Sequence, residues 1–227
     1  MSAGNGMRLR PLTNDFSKCM LPVGGKPMLE WWLDAAFQSE CFDKIYVNIH
    51  HLADQVREWI QKYATERRRK NIFIIDEPQL LGTAKTLYNH AVPGEDFMVA
   101  YTDTYSASVF AGLPRLVDDF QRMPNSFMAG LITFDAPEDK STGNIDADAL
   151  GVVRSFKEKS ESGKIAWAGI IFARAHFLHE ITEQDKDLAH DVLPRCAWSI
   201  KVLRHVDAYD IGRGVEHYER VRGGFKK

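Results

Sequence analysis

The stretch Ser2-Ala3-Gly4-Asn5-Gly6-Met7-Arg8-Leu9-Arg10-Pro11-Leu12-Thr13, continued by Ser17-Lys18-Cys19-Met20-Leu21-Pro22-Val23, decides how this chain is read. Gly4 and Gly6 bracket one residue, so the backbone can bend sharply there and present bare N–H groups. Successive amides in such a bend form a concavity that attracts anions. Arg8 follows two residues on, with a planar guanidinium that matches phosphate oxygens, and Lys18 adds a second, mobile cation. Together they describe a cradle for a nucleoside triphosphate. The Walker A spacing is absent, and Leu9 stands where a Rossmann dinucleotide loop needs its third glycine.

The composition suits a small enzyme. A chain of 227 residues, 44% of them apolar, can build one α/β domain with a large core. A net charge of −2 argues against a nucleic-acid partner, which usually requires a basic excess. Cys19, Cys41 and Cys196 are odd in number and widely spaced, which fits a reduced, cytoplasmic protein better than a disulfide framework. No apolar run approaches the ~18 residues of a membrane span, and the chain enters its glycine loop without a signal peptide, so neither membrane nor export is expected.

Lys26-Pro27 opens a helix whose Leu29, Trp32, Leu33, Ala36 and Phe37 recur on one face. Trp31 and Trp32 read as core rather than as a stacking platform for a base. Residues 44–49 form a buried strand that ends at His50-His51, a pair too adjacent to share one metal. Val56, Trp59, Ile60 and Tyr63 mark an amphipathic helix over 53–69. Its basic end, Arg67 to Lys70, suits the negative end of the helix dipole better than a nucleic-acid patch. Further strands are expected over 71–75, 97–101, 127–134 and 200–206, and helices over 113–122, 175–181 and 215–227. Asp103 directly follows the strand at 97–101, and the carboxyl ends of strands are where open α/β sheets place their chemistry.

Gly-x-Gly-x-Arg-Leu-x-Pro-Leu-Thr followed by Ser-Lys-x-Met-Leu-Pro-Val-x-Gly-Lys-Pro, over residues 3–27, resembles the sugar-1-phosphate nucleotidylyltransferases. Leu81-Gly82-Thr83-Ala84, Asp103, Phe156-Lys157-Glu158-Lys159 with Ala168-Gly169-Ile170, and Asp210-Ile211-Gly212 follow in the family's order. The resemblance implies a Rossmann-like single domain over 1–227, with a mixed, mostly parallel sheet flanked by helices. It implies that Ala3, Gly4, Asn5 and Gly6 cradle the nucleotide, with Arg8 and Lys18 as catalytic cations. Gly82 and Thr83 would lie beside the base, and Asp103 and Asp210 would hold Mg²⁺. Gly143, Glu158, Lys159, Gly169 and Asp103 would serve the sugar phosphate. The family's apolar first strand is reduced to Met1, Ser2 and Ala3, so upstream residues are expected to have been omitted. Tyr101-Thr102 replaces the usual Asn-Gly, Ser160 the Pro after the Lys, and Arg213-Gly214-Val215-Glu216 the last Thr-Pro-Glu.

Glu77 stands five residues before Gly82, where uridylyl and thymidylyl members carry Gln. Guanine offers two adjacent donors that one carboxylate can accept, whereas uracil and thymine suit an amide that both donates and accepts. The substitution tilts the reading toward GTP, with Gln79 a rival reader on the same loop. The activity implied is transfer of a nucleoside monophosphate from an NTP, GTP first, to a sugar-1-phosphate. By family habit the sugar would be mannose or a manno-configured heptose. Alternatives are a UTP- or dTTP-dependent transferase, a CTP-dependent transferase of a non-sugar phosphate, and a non-catalytic nucleotide-sugar-binding protein.

Overall fold

A computed structural model describes residues 1–65, 69–136, 143–158 and 165–223. Its strands are β1 (Pro22–Val23), β2 (Lys26–Pro27), β3 (Ile45–Ile49), β4 (Ile72–Asp76), β5 (Phe97–Ala100), β6 (Thr104–Tyr105), β7 (Ala129–Asp135), β8 (Gly143–Ala147), β9 (Val153–Glu158), β10 (Ile165–Ala173), β11 (Ile200–His205) and β12 (Tyr209–Asp210). The helices are α1 (Leu12–Asp15), α2 (Met28–Ser39), α3 (Ala53–Tyr63), α4 (Thr83–His90), α5 (Ala107–Gln121), α6 (Leu193–Cys196) and α7 (Val215–Val221). The class is α/β with a mixed sheet flanked by helices, as expected. The chain divides into two compact units, one made of Met1–Leu80, Tyr101–Pro114 and Tyr209–Lys227, the other of Leu81–Ala100 and Arg115–Ala208.

In the first unit β3 and β4 pair in parallel, Ile45 opposite Ile72 and Ile49 opposite Asp76. A parallel pair needs a crossover, and α3 supplies it. Val56 and Ile60 of α3 pack with Leu29 and Leu33 of α2 and with Val47 and Ile49 of β3. A second cluster gathers Leu9, Leu21, Met28, Ile211 and Tyr218 from distant parts of the chain. Trp31 and Trp32 serve this core, as read from the sequence. Trp31 Nε1 donates to Val23 O (2.8 Å), Trp32 Nε1 to Thr104 O (3.1 Å), and Trp31 stacks on Phe110.

Helix α3 ends at Tyr63, earlier than its basic tail suggested. Arg69 turns back to donate to Gln61 O (2.9 Å) and Ala64 O (3.2 Å), capping the helix end, while Arg67 and Arg68 lie outside the described residues. Among the described residues no strand precedes the glycine loop. Met1 O accepts from Thr102 N (3.2 Å) and Thr102 Oγ1 (3.1 Å), and Ser2 N donates to Asn48 Oδ1 (2.7 Å).

The second unit is built on a six-stranded sheet in the order β11-β7-β10-β8-β9, with β5 also paired to β10. The sheet is mixed but not mostly parallel, which corrects the expectation. Only β11–β7 runs parallel; β10 is antiparallel to β5, β7 and β8, and β8 to β9. The connection between β8 and β9 is short, which forces antiparallel pairing, and β10 meets β5, β7 and β8 each in antiparallel register. Leu131, Ile132, Ile170 and Ile171 are fully buried, so β7 and β10 form the unit's apolar centre. No helix among the described residues is long and apolar enough to cross a membrane.

Candidate active site

The glycine loop takes the shape its sequence permits. Gly6 sits at φ 60, ψ 30, in the left-handed region, and opens a 3₁₀ turn at Met7–Leu9 in which Leu9 N donates to Gly6 O (2.9 Å). Ala3 and Leu9 are buried, while Gly4 and Arg8 face solvent. The loop is thus anchored at both ends with its middle exposed. Thr13 Oγ1 donates to Gly6 O (2.8 Å), and a Cβ on Gly6 would stand only 2.6 Å from Thr13 Cγ2.

Three charged side chains meet beside this loop's chain segment. The β6–β12 ladder sets Asp210 opposite Thr104, and Ile211 N donates to Asp103 O (2.9 Å), so two distant stretches deliver Asp103 and Asp210 together. Lys18 Nζ is ion-paired to Asp103 Oδ2. Burial opposes the Lys18 charge, yet Asp103 and Asp210 outweigh it and raise the ammonium pKa, with Arg8 pulling the other way. Asp210 is pushed up by burial and then by the like charge of Asp103, and is restrained by Lys18 and by the Gly212 N–H that its Oδ1 accepts (2.7 Å). Two hard carboxylates, one of them destabilised by the other, suit a small divalent cation that takes its remaining ligands from phosphate and water. The residues therefore fit a hard divalent cation.

Gly212 makes this cluster possible. A Cβ there would overlap Lys18 Nζ and lie 2.7 Å from Lys18 Cε and 2.9 Å from Asp210 Oδ1. Every obstacle belongs to a side chain, so the fold can absorb the methyl and the Lys18 geometry cannot. On the expectation that Lys18 is a catalytic cation, Gly212→Ala should lower kcat by ~10–10²-fold, the scale of displacing such a group by about 1 Å. Steady-state kinetics beside a melting curve checks this; Tm should stay within a few degrees.

The loop that carries Glu77 and Gln79 follows β4. Glu77 is buried, at 3% exposure, and its Oε1 accepts from Asn48 Nδ2 (2.8 Å). Its own N donates to Ile49 O (2.9 Å), and its carbonyl lies 2.7 Å from His50 Nδ1. Glu77 and Asn48 thus tie Ser2, β3 and the loop after β4 into one network. Gln79 is exposed. The sequence reading missed Asn48, whose signal was a lone amide inside the apolar run Ile45–Ile49.

The remaining candidates belong to the second unit. Gly82 has φ +90 and precedes α4; Ala84 N donates to Lys186 O (3.0 Å). Thr83 Oγ1 donates to Asp187 Oδ2 (3.2 Å) and accepts from Leu188 N (2.9 Å). The Gly-Thr-Ala motif therefore also fastens α4 to the 186–188 turn. Gly143 and Glu158 face each other across the β8–β9 ladder. Gly169, at φ 72, occupies the bulge where β10 slips register against β7. Lys159 lies outside the described residues.

The glycine loop, the Lys18–Asp103 pair with Asp210 and the α/β frame are the parts of the pattern read from the sequence that the structure holds in one chain. The chain belongs to the nucleotidyl transferase family, whose pattern matches residues 1–203. It is 25% identical over 242 residues to the UTP–glucose-1-phosphate uridylyltransferase of Synechocystis sp., covering 98% of this chain and 62% of that protein. It is 27% identical over 201 residues to the N-acetylmuramate alpha-1-phosphate uridylyltransferase of Caulobacter vibrioides, covering 86% of this chain and 80% of that one. Its fold is similar to that of HddC from Yersinia pseudotuberculosis complexed with GMP-PN, with a TM-score of 0.77 and 21% identity over 99% of this chain and 97% of that one.

Proposed function

We propose that this chain transfers a nucleoside monophosphate from an NTP to a sugar-1-phosphate and releases pyrophosphate. The observation that carries the reading is the convergence of Lys18, Asp103 and Asp210 in the unit that holds the glycine loop. A sugar-phosphate oxygen attacks the α-phosphorus in line. A new P–O bond forms as the α–β bond breaks, and pyrophosphate departs with the electron pair. The attacking group is already anionic, so positioning and charge neutralisation suffice and no protein nucleophile is needed. Lys18 acts at the α-phosphate, Arg8 at the charge gathering on pyrophosphate, and the amides from Ala3 to Gly6 at the triphosphate. Asp103 and Asp210 would hold Mg²⁺, which when bound neutralises phosphate oxygens as a Lewis acid. Gly143, Glu158, Lys159 and Gly169 are assigned to the sugar half by family resemblance. The three free cysteines suit a reducing compartment, and the cytoplasm is the proposed location.

The chemistry of a carboxylate at position 77 supports GTP, and with it mannose- or heptose-1-phosphate by resemblance. The burial of Glu77 against Asn48 supports a second reading, in which Glu77 braces the loop and the base is uracil, as in the names of the two relatives above. A pyrophosphate-release assay crossing the four NTPs and dTTP with several sugar-1-phosphates separates them. GTP preference that moves toward UTP in Glu77→Gln supports base reading by Glu77. UTP preference in the unaltered chain discards it and keeps the class. Silence across the grid, at Mg²⁺ saturation, overturns the transferase reading.

A further inference from the structure

We propose that His51 and Gln55, at the corner between β3 and α3, are positioning residues that hold the Gly6–Lys18 segment in its working shape. The proposal rests on the transferase reading for its kinetic consequence and on geometry alone for its structural one. Gln55 spends both ends of its amide on this segment. Its Nε2 donates to Asp15 O (3.0 Å), and its Oε1 accepts from Ser17 N (2.8 Å). Ser17 directly precedes Lys18, so this bidentate grip fixes the backbone from which the lysine springs. His51 Nε2 lies 2.7 Å from Thr13 O. The partner there is a carbonyl, so the ring nitrogen carries the proton and donates it. Thr13 passes the restraint on, since its Oγ1 donates to Gly6 O (2.8 Å) and its methyl fills the space beside Gly6.

Two relays thus leave one corner, from His51 through Thr13 to Gly6 and from Gln55 through Ser17 to Lys18. Between the two side chains stands Leu52 at φ 51, ψ 45, a left-handed conformation unusual for a branched residue. Such strain persists only where its surroundings fix it. The segment held in this way has little regular structure of its own, because α1 is a single turn. Among the described residues the polar contacts of His51 and Gln55 all go to backbone, so they act through the loop and through Lys18.

The test uses the full chain and two readouts. Amide hydrogen exchange reads the clamp whether or not the protein turns over. In Gln55→Ala the Ser17 amide should lose protection, and in His51→Ala the exchange of residues 6–14 should quicken, each by about 10-fold or more, with β3 and α3 unchanged. Kinetics per folded molecule should then show kcat down ~10–10²-fold in either variant, with the NTP KM moved less than about threefold, because a loose Lys18 fails at the transition state more than in binding. His51→Gln, which restores a donor near Thr13 O, should recover most of the His51→Ala loss. Unchanged exchange in both alanine variants overturns the clamp. Faster exchange with kcat within about threefold of the unaltered chain overturns its positioning role. If the unaltered chain releases no pyrophosphate, the transferase reading falls, and the exchange data still decide whether the clamp exists.

Discussion

Lys18→Met is expected to lower kcat by ~10²–10³-fold, the cost of removing one preorganised charge from a developing anion. Methionine keeps the length and the apolar stem, so the change is chiefly one of charge. Asp103 loses its ion-pair partner, and Asp210 loses the cation that restrains its upward shift. The Lys18 side chain keeps 20% exposure and Asp103 21%, so water can partly replace the pair and the fold should survive. Lys18→Arg should rescue little. The guanidinium is bulkier, and the space beside Gly212 already admits no additional methyl group. Single-turnover rates with saturating NTP and sugar phosphate, taken beside melting curves, check the result. A kcat within about threefold of the unaltered chain would remove Lys18 from the chemistry.

Gly82→Ala should act on stability instead. A Cβ there would overlap Lys186 O and stand 3.0 Å from Lys186 C, and the backbone is held at φ +90. Here the obstacle is main chain, which cannot swing aside as a lysine ammonium can. Relief would break the Ala84 N bond to Lys186 O and strain both Thr83 hydroxyl bonds. A loss of ~2–4 kcal/mol is expected from strain plus broken bonds. For a chain of this length that is a fall in Tm of roughly 4–16 °C. Gly94→Ala is the control, because it shares a positive φ of 84 but has nothing within 4 Å of a new Cβ. It should cost about 1 kcal/mol, the left-handed strain alone. Equal losses for the two glycines would show that contact with Lys186 is not what constrains Gly82.

The sequence carried the strands and most helices because their signals are local. Val47 to Ile49 and Ala129 to Phe134 lie in β-branched and apolar runs that the fold buries, although Tyr46 is exposed. It carried the class because the loop residues and the two aspartates form a long ordered pattern, and the structure brings Lys18, Asp103 and Asp210 together. Pairing direction was not legible. Whether β10 lies antiparallel to β7 depends on which strand it meets, and a strand's residues do not encode its neighbour. The setting of Glu77 was hidden for a similar reason. Its carboxyl reads from the sequence as an acceptor for a base, and its bond to Asn48, nearly thirty positions earlier, leaves no sign there. His51 and Gln55 were invisible because a side chain that grips another segment's backbone leaves no residue pattern at its target.

The ladder joining β6 to β12 sets Tyr105 opposite Tyr209, almost half the chain apart. During synthesis the glycine loop, Lys18 and Asp103 all leave the ribosome long before Asp210 does. Until then the strand that orders Thr104 and Tyr105 has no mate, and the second carboxylate of the site does not exist. A nascent chain halted before Tyr209 would thus hold Lys18 and Asp103 without the second carboxylate. The closing of that ladder is the step at which the polypeptide brings Asp210 to the pair, so the order of synthesis leaves the centre incomplete until nearly the whole chain has been made.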